Sequence, residues 1–572
     1  MRRGPVAAAA ALWLAWGGVA GAQAVPGTVA CRGQRIKAIR ITSEAPSVAG
    51  LRRVPVLSGI ARTVHTVTRP QVIQRFLLLK VGDWCAEQAR RESERVLRAQ
   101  PFLADARITV VPDSGGGVTL DVHTVDEVAL MFSSTMRTQG PLLSGLRLGD
   151  GNTAGEGIYL LGSWWKERGL RDGYAFHATD YQFTGRQLQA TVHGERDPLG
   201  GAYHLRLQRP FLTDLQRAAW RVQQGESDNY VRFVDGAGAV HADRLGRTYA
   251  DIGGLVRIGR PGRLGLLGLS LSHDATRLGA EPILITPRGV LPDTGSVLNG
   301  RYDSRSASRV NLLLGYRNLR FVKATGLDAL RNTQDLPLGV QLGAMIGKSA
   351  AFLGSHSDDM LIGGDAYAAA GWSRAALRFQ GTGEIRRALR TDTWDGLLAS
   401  GRLAEYNKIG MRHTLITSLE WSGGWRVRVP FRVTLAGTEG GIRGMTEGLE
   451  QGGQRGIARV EDRIDLGSRF GETADFGIAF FADAGRLWAG DVPFGKTTPV
   501  RYSAGVSLLA AVPAASAEMW RLDIAVPNVP GRGFRLALRL SHTDETVAFW
   551  REPRDVGMAR ERSVPASLFN WP

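Results

Sequence analysis

One stretch of the 572-residue chain, Gly490-Asp491-Val492-Pro493-Phe494-Gly495-Lys496-Thr497, fits the G-x-x-x-x-G-K-[ST] pattern of a phosphate-binding loop. That chemistry needs a strand before it and a helix after it, so that backbone amides and a helix N-terminus cradle the phosphate. Here Pro499 and the strand-like Tyr502 to Ala510 follow, and the stretch reads as a connecting loop. The chain carries no G-x-S-x-G elbow, no H-E-x-x-H and no C-x-x-C. Its residues therefore point to no enzyme, no metal and no cofactor.

A different chemistry is written in Gly440-Gly441-Ile442-Arg443-Gly444-Met445 and, further along, Phe481-Ala482-Asp483-Ala484-Gly485. The first puts an arginine between glycines in a turn, and the second puts one carboxylate among small and apolar neighbours on a strand. A guanidinium is a planar, permanently charged fork of donors that suits a carboxylate in a confined space. Flanking glycines let a loop tip turn sharply against a wall, and Gly485 reduces bulk on the strand it approaches. The expectation is a latch, with Gly441, Ile442, Arg443, Gly444 and Met445 on the loop and Phe481, Asp483 and Gly485 on the partner strand. The competing reading is a solvated arginine in a turn and a hydrated carboxylate.

Composition and order bound what can position such a pair. Hydrophobic content of 43% with 73 glycines and 24 prolines predicts an ordered, turn-rich and strand-rich chain. Arg2 and Arg3, the apolar run from Val6 to Trp16 and the small residues Ala22-Gln23-Ala24 read as a secretory signal over residues 1–24. No later stretch is long and apolar enough for a spanning helix. The net charge of +17 invites a polyanion partner, but the Lys and Arg residues are scattered through strand-like segments, with no nucleic-acid-binding motif. Nucleic acid is therefore excluded in favour of a cationic lumen and loops beside anionic lipid. Cys31 and Cys85 are the two cysteines. In an oxidising compartment they can pair, closing a loop worth on the order of 4 kcal/mol. Free thiols and a lipid-modified Cys31 are the alternatives, the latter opposed by the poor lipobox Thr28-Val29-Ala30.

Residues 25–127 form one unit in the order β-α-α-β-β. Ile36 to Ile41 is a strand, Pro70 opens a helix that Gly82 stops, and Asp83 caps a second helix from Trp84 to about Gln100. The strands Ala106 to Val111 and Val118 to Val125 follow, joined by a Pro-Asp-Ser-Gly-Gly-Gly turn. From Val128 to His542 the period becomes two. Leu188, Ala190 and Val192 alternate with polar neighbours, as do Tyr203, Leu205 and Leu207, and Phe534, Leu536, Leu538 and Leu540. In an exported chain with no helical anchor, this spells a transmembrane antiparallel β-barrel of about 16 strands over residues 128–542. A tail, 543–572, follows what reads as the last strand.

The Val81-Gly82-Asp83 turn and the run from Leu97 to Ala106 resemble a POTRA domain. Ile442-Arg443-Gly444-Met445 is similar to the V-R-G-[FY] loop motif of the BamA/TamA and two-partner-secretion superfamily, with Met445 replacing the aromatic. Phe481-x-Asp483-x-Gly485 matches that superfamily's strand motif. The resemblance covers nearly the whole mature chain. It implies a protein of the bacterial outer membrane, with its N-terminal domain in the periplasm, that inserts or translocates proteins. The implied partners are outer-membrane lipid and lipopolysaccharide, unfolded or extended client chains and periplasmic assembly partners. A porin-like channel and an outer-membrane hydrolase are the alternatives.

Overall fold

The computed structural model describes residues 28–46, 66–136, 143–167, 169–279, 281–445, 448, 450–469, 473–528, 536–542 and 552–561. The signal segment lies outside them.

The N-terminal domain runs β1 (Arg32–Glu44), α1 (Pro70–Phe76), β2 (Trp84–Ala86), α2 (Glu87–Arg98), β3 (Leu103–Pro112) and β4 (Val118–Asp126). Its sheet order is β2-β1-β4-β3, with β1 parallel to β4. The helices bury Val72, Ile73, Phe76, Val96 and Leu97 against Ile36, Ile108 and Leu120. The expected second helix starts three residues late, because Trp84 and Ala86 pair with Arg35 and Arg32 as an added strand. Arg35 stacks on Trp84 at 4.0 Å, which fixes that corner. Cys31 and Cys85 are joined in a disulfide.

Among the described residues, twenty antiparallel strands form the barrel wall, from Leu130–Met136 to Ala537–His542, and these two lie side by side at the seam. A short hairpin, Ile283–Thr286 and Gly289–Pro292, is an appendage, because Arg263–Leu278 pairs directly with Arg305–Thr325. The count exceeds the expected sixteen because six short strands, of 7–9 residues each, lie between Leu130 and Arg209. The two-residue period sorts the faces as expected: Leu269 and Leu271 face outward while Ser270, Ser272 and Asp274 are buried inward. An apolar exterior and polar interior are what a barrel in lipid requires. No helix among the described residues is long and apolar enough to cross a membrane.

The N-terminal domain sits on one end of the barrel, gripped by wall turns. Arg98 makes three bonds of 2.7–2.9 Å to Asp335, Lys323 reaches Glu94 at 2.5 Å, and Gln182 bonds the carbonyl of Val72. Glu94 is pushed up by burial, yet Lys323 and Arg98 outweigh this and hold it at about 2. At the junction, the buried Glu127 takes bonds of 2.7–2.8 Å from the Ser516 hydroxyl. Burial raises its carboxyl to about 7.

Candidate functional site

The wall strands His413–Trp425 and Gln454–Arg469 are neighbours, and the chain between them folds into the lumen. It enters from the end opposite the N-terminal domain. Lys408, on the preceding strand Thr393–Ile409 just before the turn into His413, donates to the Thr325 carbonyl beside the turn that holds that domain. Inside, Val433–Thr434 pairs with Gln451–Gly452, and Ala436 bridges Ile442. The fully buried Ile442 packs with Leu435, Met445 and Leu487.

This hydrophobic seat aims Arg443 at the wall strand Ala474–Trp488. Its Nε donates to Asp483 Oδ2 at 2.9 Å and its Nη2 to Oδ1 at 2.6 Å. The Arg443 backbone N–H adds a third bond to Oδ2, 3.0 Å. The guanidinium lies 3.9 Å above the centre of the Phe481 ring, a cation–π contact strengthened where water is scarce. The glycines are explained by space. A side-chain carbon on Gly441 would lie 2.2 Å from the Leu435 carbonyl, and one on Gly485 would press on Ile442 and Leu435 at 3.1 Å. Gly444 also has a φ of +82°, which favours glycine.

The structure thus brings Arg443, Phe481, Asp483 and Gly485 together and surrounds them with residues that motif reading missed. Arg459 donates to Asp483 at 2.9 Å and to the Gly441 carbonyl at 2.6 Å. Arg443 Nη1 bonds Glu461 at 2.5 Å, and Arg521 and Arg463 bond the same carboxylate. For Arg459, Glu461 and Arg463 the available signal is the alternation of charged residues along one face of Gln454–Arg469; Arg521, on the strand Trp520–Pro527, has no such signal. Such a network of charge-assisted bonds links the loop to the wall. Cys31 and Cys85 lie in the N-terminal domain, away from this network. The stretch Gly490 to Thr497 is a turn between wall strands with no following helix, and Phe494 stacks on His241 at 5.0 Å.

The C-terminal segment enters the same lumen as a short helix, α3 (Arg554–Ala559), whose Val556 and Ala559 join the cluster under the loop. Residues 552–561 of the tail, which the sequence leaves without a role, lie inside the barrel.

No family model matches the chain, and no curated protein does so either. Its structure is similar to that of BamA from Haemophilus ducreyi lacking POTRA domains 1–3, at 14% identity and a TM-score of 0.37, covering 89% of this chain and 84% of that one. It is also similar to CdiB from Escherichia coli, at 12% identity and a TM-score of 0.41, covering 89% and 76%. CdiB from Acinetobacter baumannii gives 13% identity and a TM-score of 0.37, covering 89% and 73%.

Proposed function

We propose that this protein handles polypeptides at the bacterial outer membrane, inserting β-barrel proteins or translocating a chain, with its N-terminal domain as a periplasmic POTRA-type client receptor. The observation that carries this reading is the Arg443 loop, seated through Asp483 on the inner wall of a barrel whose seam joins the last strand to the first. In this reading Arg443 is a latch that keeps the loop inside while the wall stays shaped around it. The described part of the last strand, Ala537–His542, lies beside the first, Leu130–Met136, and this seam is where the reading lets a client strand enter.

Client binding by strand addition needs a free sheet edge. The outer side of β3 is taken: Arg90 bonds the Ile108 carbonyl, Arg98 the Ala106 carbonyl, and the Ile108 N–H meets Glu94. From Lys37 to Glu44, β1 has β4 on one side and no described strand on the other, so β1 is the edge we assign to the client. A passive porin reading fits less well, because the loop and α3 occupy the lumen.

The test places a photo-crosslinker at the exposed Arg40 on β1 or at the outward-facing Leu538 on the last strand. The full-length protein in vesicles is then offered an unfolded barrel precursor. Capture at both positions supports the reading, and capture at neither overturns it.

A further inference from the structure

A wall of twenty strands encloses a lumen wide enough for water and ions unless something fills it. The Arg443 loop fills part of it. The segment Glu552–Glu561 fills another part, and its contacts form a built site rather than a chance packing.

Arg247 donates to the main-chain carbonyls of Met558, Ala559 and Arg560. The last carbonyls of a helix lack partners within it and carry its negative end, so this guanidinium reads the terminus of α3. Arg305 and Arg309 bond the two oxygens of Glu561 at 2.5 and 2.6 Å. Arg455 bonds both oxygens of Asp555 at 2.9 and 3.3 Å. Two further wall strands add Ser400, which donates to Glu552 at 2.6 Å, and Glu384, which accepts the Glu561 N–H at 3.2 Å. Gly440 of the arginine loop makes room: a side-chain carbon there would lie 3.0 Å from Pro553.

Wall arginines meet the carboxylates Asp555 and Glu561, and the segment as a whole has an excess of one negative charge, Glu552, Asp555 and Glu561 against Arg554 and Arg560, the last of which faces Glu384. Arg247, Arg309 and Arg455 are almost wholly buried while the segment is in place. The segment is held mainly by polar contacts rather than by apolar burial. Six helical residues do not hold themselves, only Val556 and Ala559 bury apolar surface in the cluster, and the gain from buried ion pairs is largely cancelled by desolvation. Release would expose Arg247, Arg305, Arg309 and Arg455 on the lumen wall, with Asp274 and Asp359 still beside Arg247 and Arg309.

We propose that Glu552–Glu561 is a displaceable plug, seated in a lumenal arginine site that recognises acidic polypeptide, and that its departure opens an anion-selective path. The proposal stands whether or not the barrel handles client proteins, because its readout is ion conductance.

Full-length protein, a truncation lacking residues 552–572 and the full-length double variant Asp555→Asn/Glu561→Gln are compared in planar bilayers. Full-length protein should be largely closed. Truncation should raise the mean conductance roughly tenfold and shift the reversal potential in a salt gradient toward anions. The double variant should open more often than wild type. A peptide of residues 552–561 should close the truncated barrel again, and the same peptide with Asp555 and Glu561 neutralised should not. A truncation that shows the gel mobility of a folded barrel but conducts like full-length protein overturns the proposal. If the truncation does not fold, unchanged opening of the double variant does so.

Discussion

Replacing Arg443 by alanine removes two bonds to Asp483 and one to Glu461. Neither carboxylate is stranded: Arg459 still holds Asp483, and Arg521 and Arg463 still hold Glu461. The backbone bond from residue 443 to Asp483 also survives. The cost is therefore that of lost charge-assisted hydrogen bonds, about 2–3 kcal/mol, rather than the larger cost of an unpaired buried charge. The loop reports this directly, because the Ile442 N–H bonds the Leu435 carbonyl at 2.9 Å inside the seat. Its hydrogen exchange, read by mass spectrometry of the protein in lipid nanodiscs, should accelerate roughly 30- to 150-fold in Arg443→Ala. Arg443→Lys should recover only part of the protection, because an ammonium cannot span both oxygens of Asp483. Asp483→Asn should give a similar acceleration, and the double variant should add little beyond either single, a coupling of at least about 1 kcal/mol. Acceleration of less than about threefold in Arg443→Ala, or fully additive singles, would refute the latch.

Gly441→Ala forces a carbon to within 2.2 Å of the Leu435 carbonyl; the loop should lift from its seat, seen as protease cleavage within residues 426–453 that wild type resists. Cys31→Ser opens the disulfide and should lower the stability of the N-terminal domain by about 4 kcal/mol, measured by chemical denaturation of the full chain. Burial raises Glu127 from an ordinary value of 4.5 to about 7, so the docked state binds its proton more tightly than the undocked state. That contribution is complete below about pH 4.5 and is lost as pH rises through about 7. Protection factors at the junction between the N-terminal domain and the barrel, taken relative to intrinsic exchange at each pH, should therefore fall from pH 5 to pH 8, and Glu127→Gln should flatten the trend.

The wall was legible because a two-residue period leaves no freedom: once Val192, Leu205 and Leu538 face lipid, their neighbours face the lumen. Strand number was not, since it depends on how long each strand is, and nothing in the alternation marks where one strand of the run from Leu130 to Arg209 ends. Arg443 stood out through its flanking glycines. Arg459 and Arg521 did not, because ordinary-looking arginines on inward faces acquire partners only when the barrel closes. The added strand Trp84–Ala86 displaced a helix start because pairing with β1 outweighed the capping signal of Asp83. The tail was opaque for a similar reason. Helix α3 is too short to show a period, and Arg247 and Arg309, which hold it, lie hundreds of positions away in the chain.

The most direct test of the central claim is the rate at which an unfolded β-barrel precursor becomes folded and protease-protected in vesicles carrying this protein. Wild type should raise that rate or the protected yield above empty vesicles, and Arg443→Ala, folded by gel mobility, should lose most of the gain. Rates equal to empty vesicles for wild type, for both insertion into the membrane and transfer into the vesicle lumen, would contradict the account.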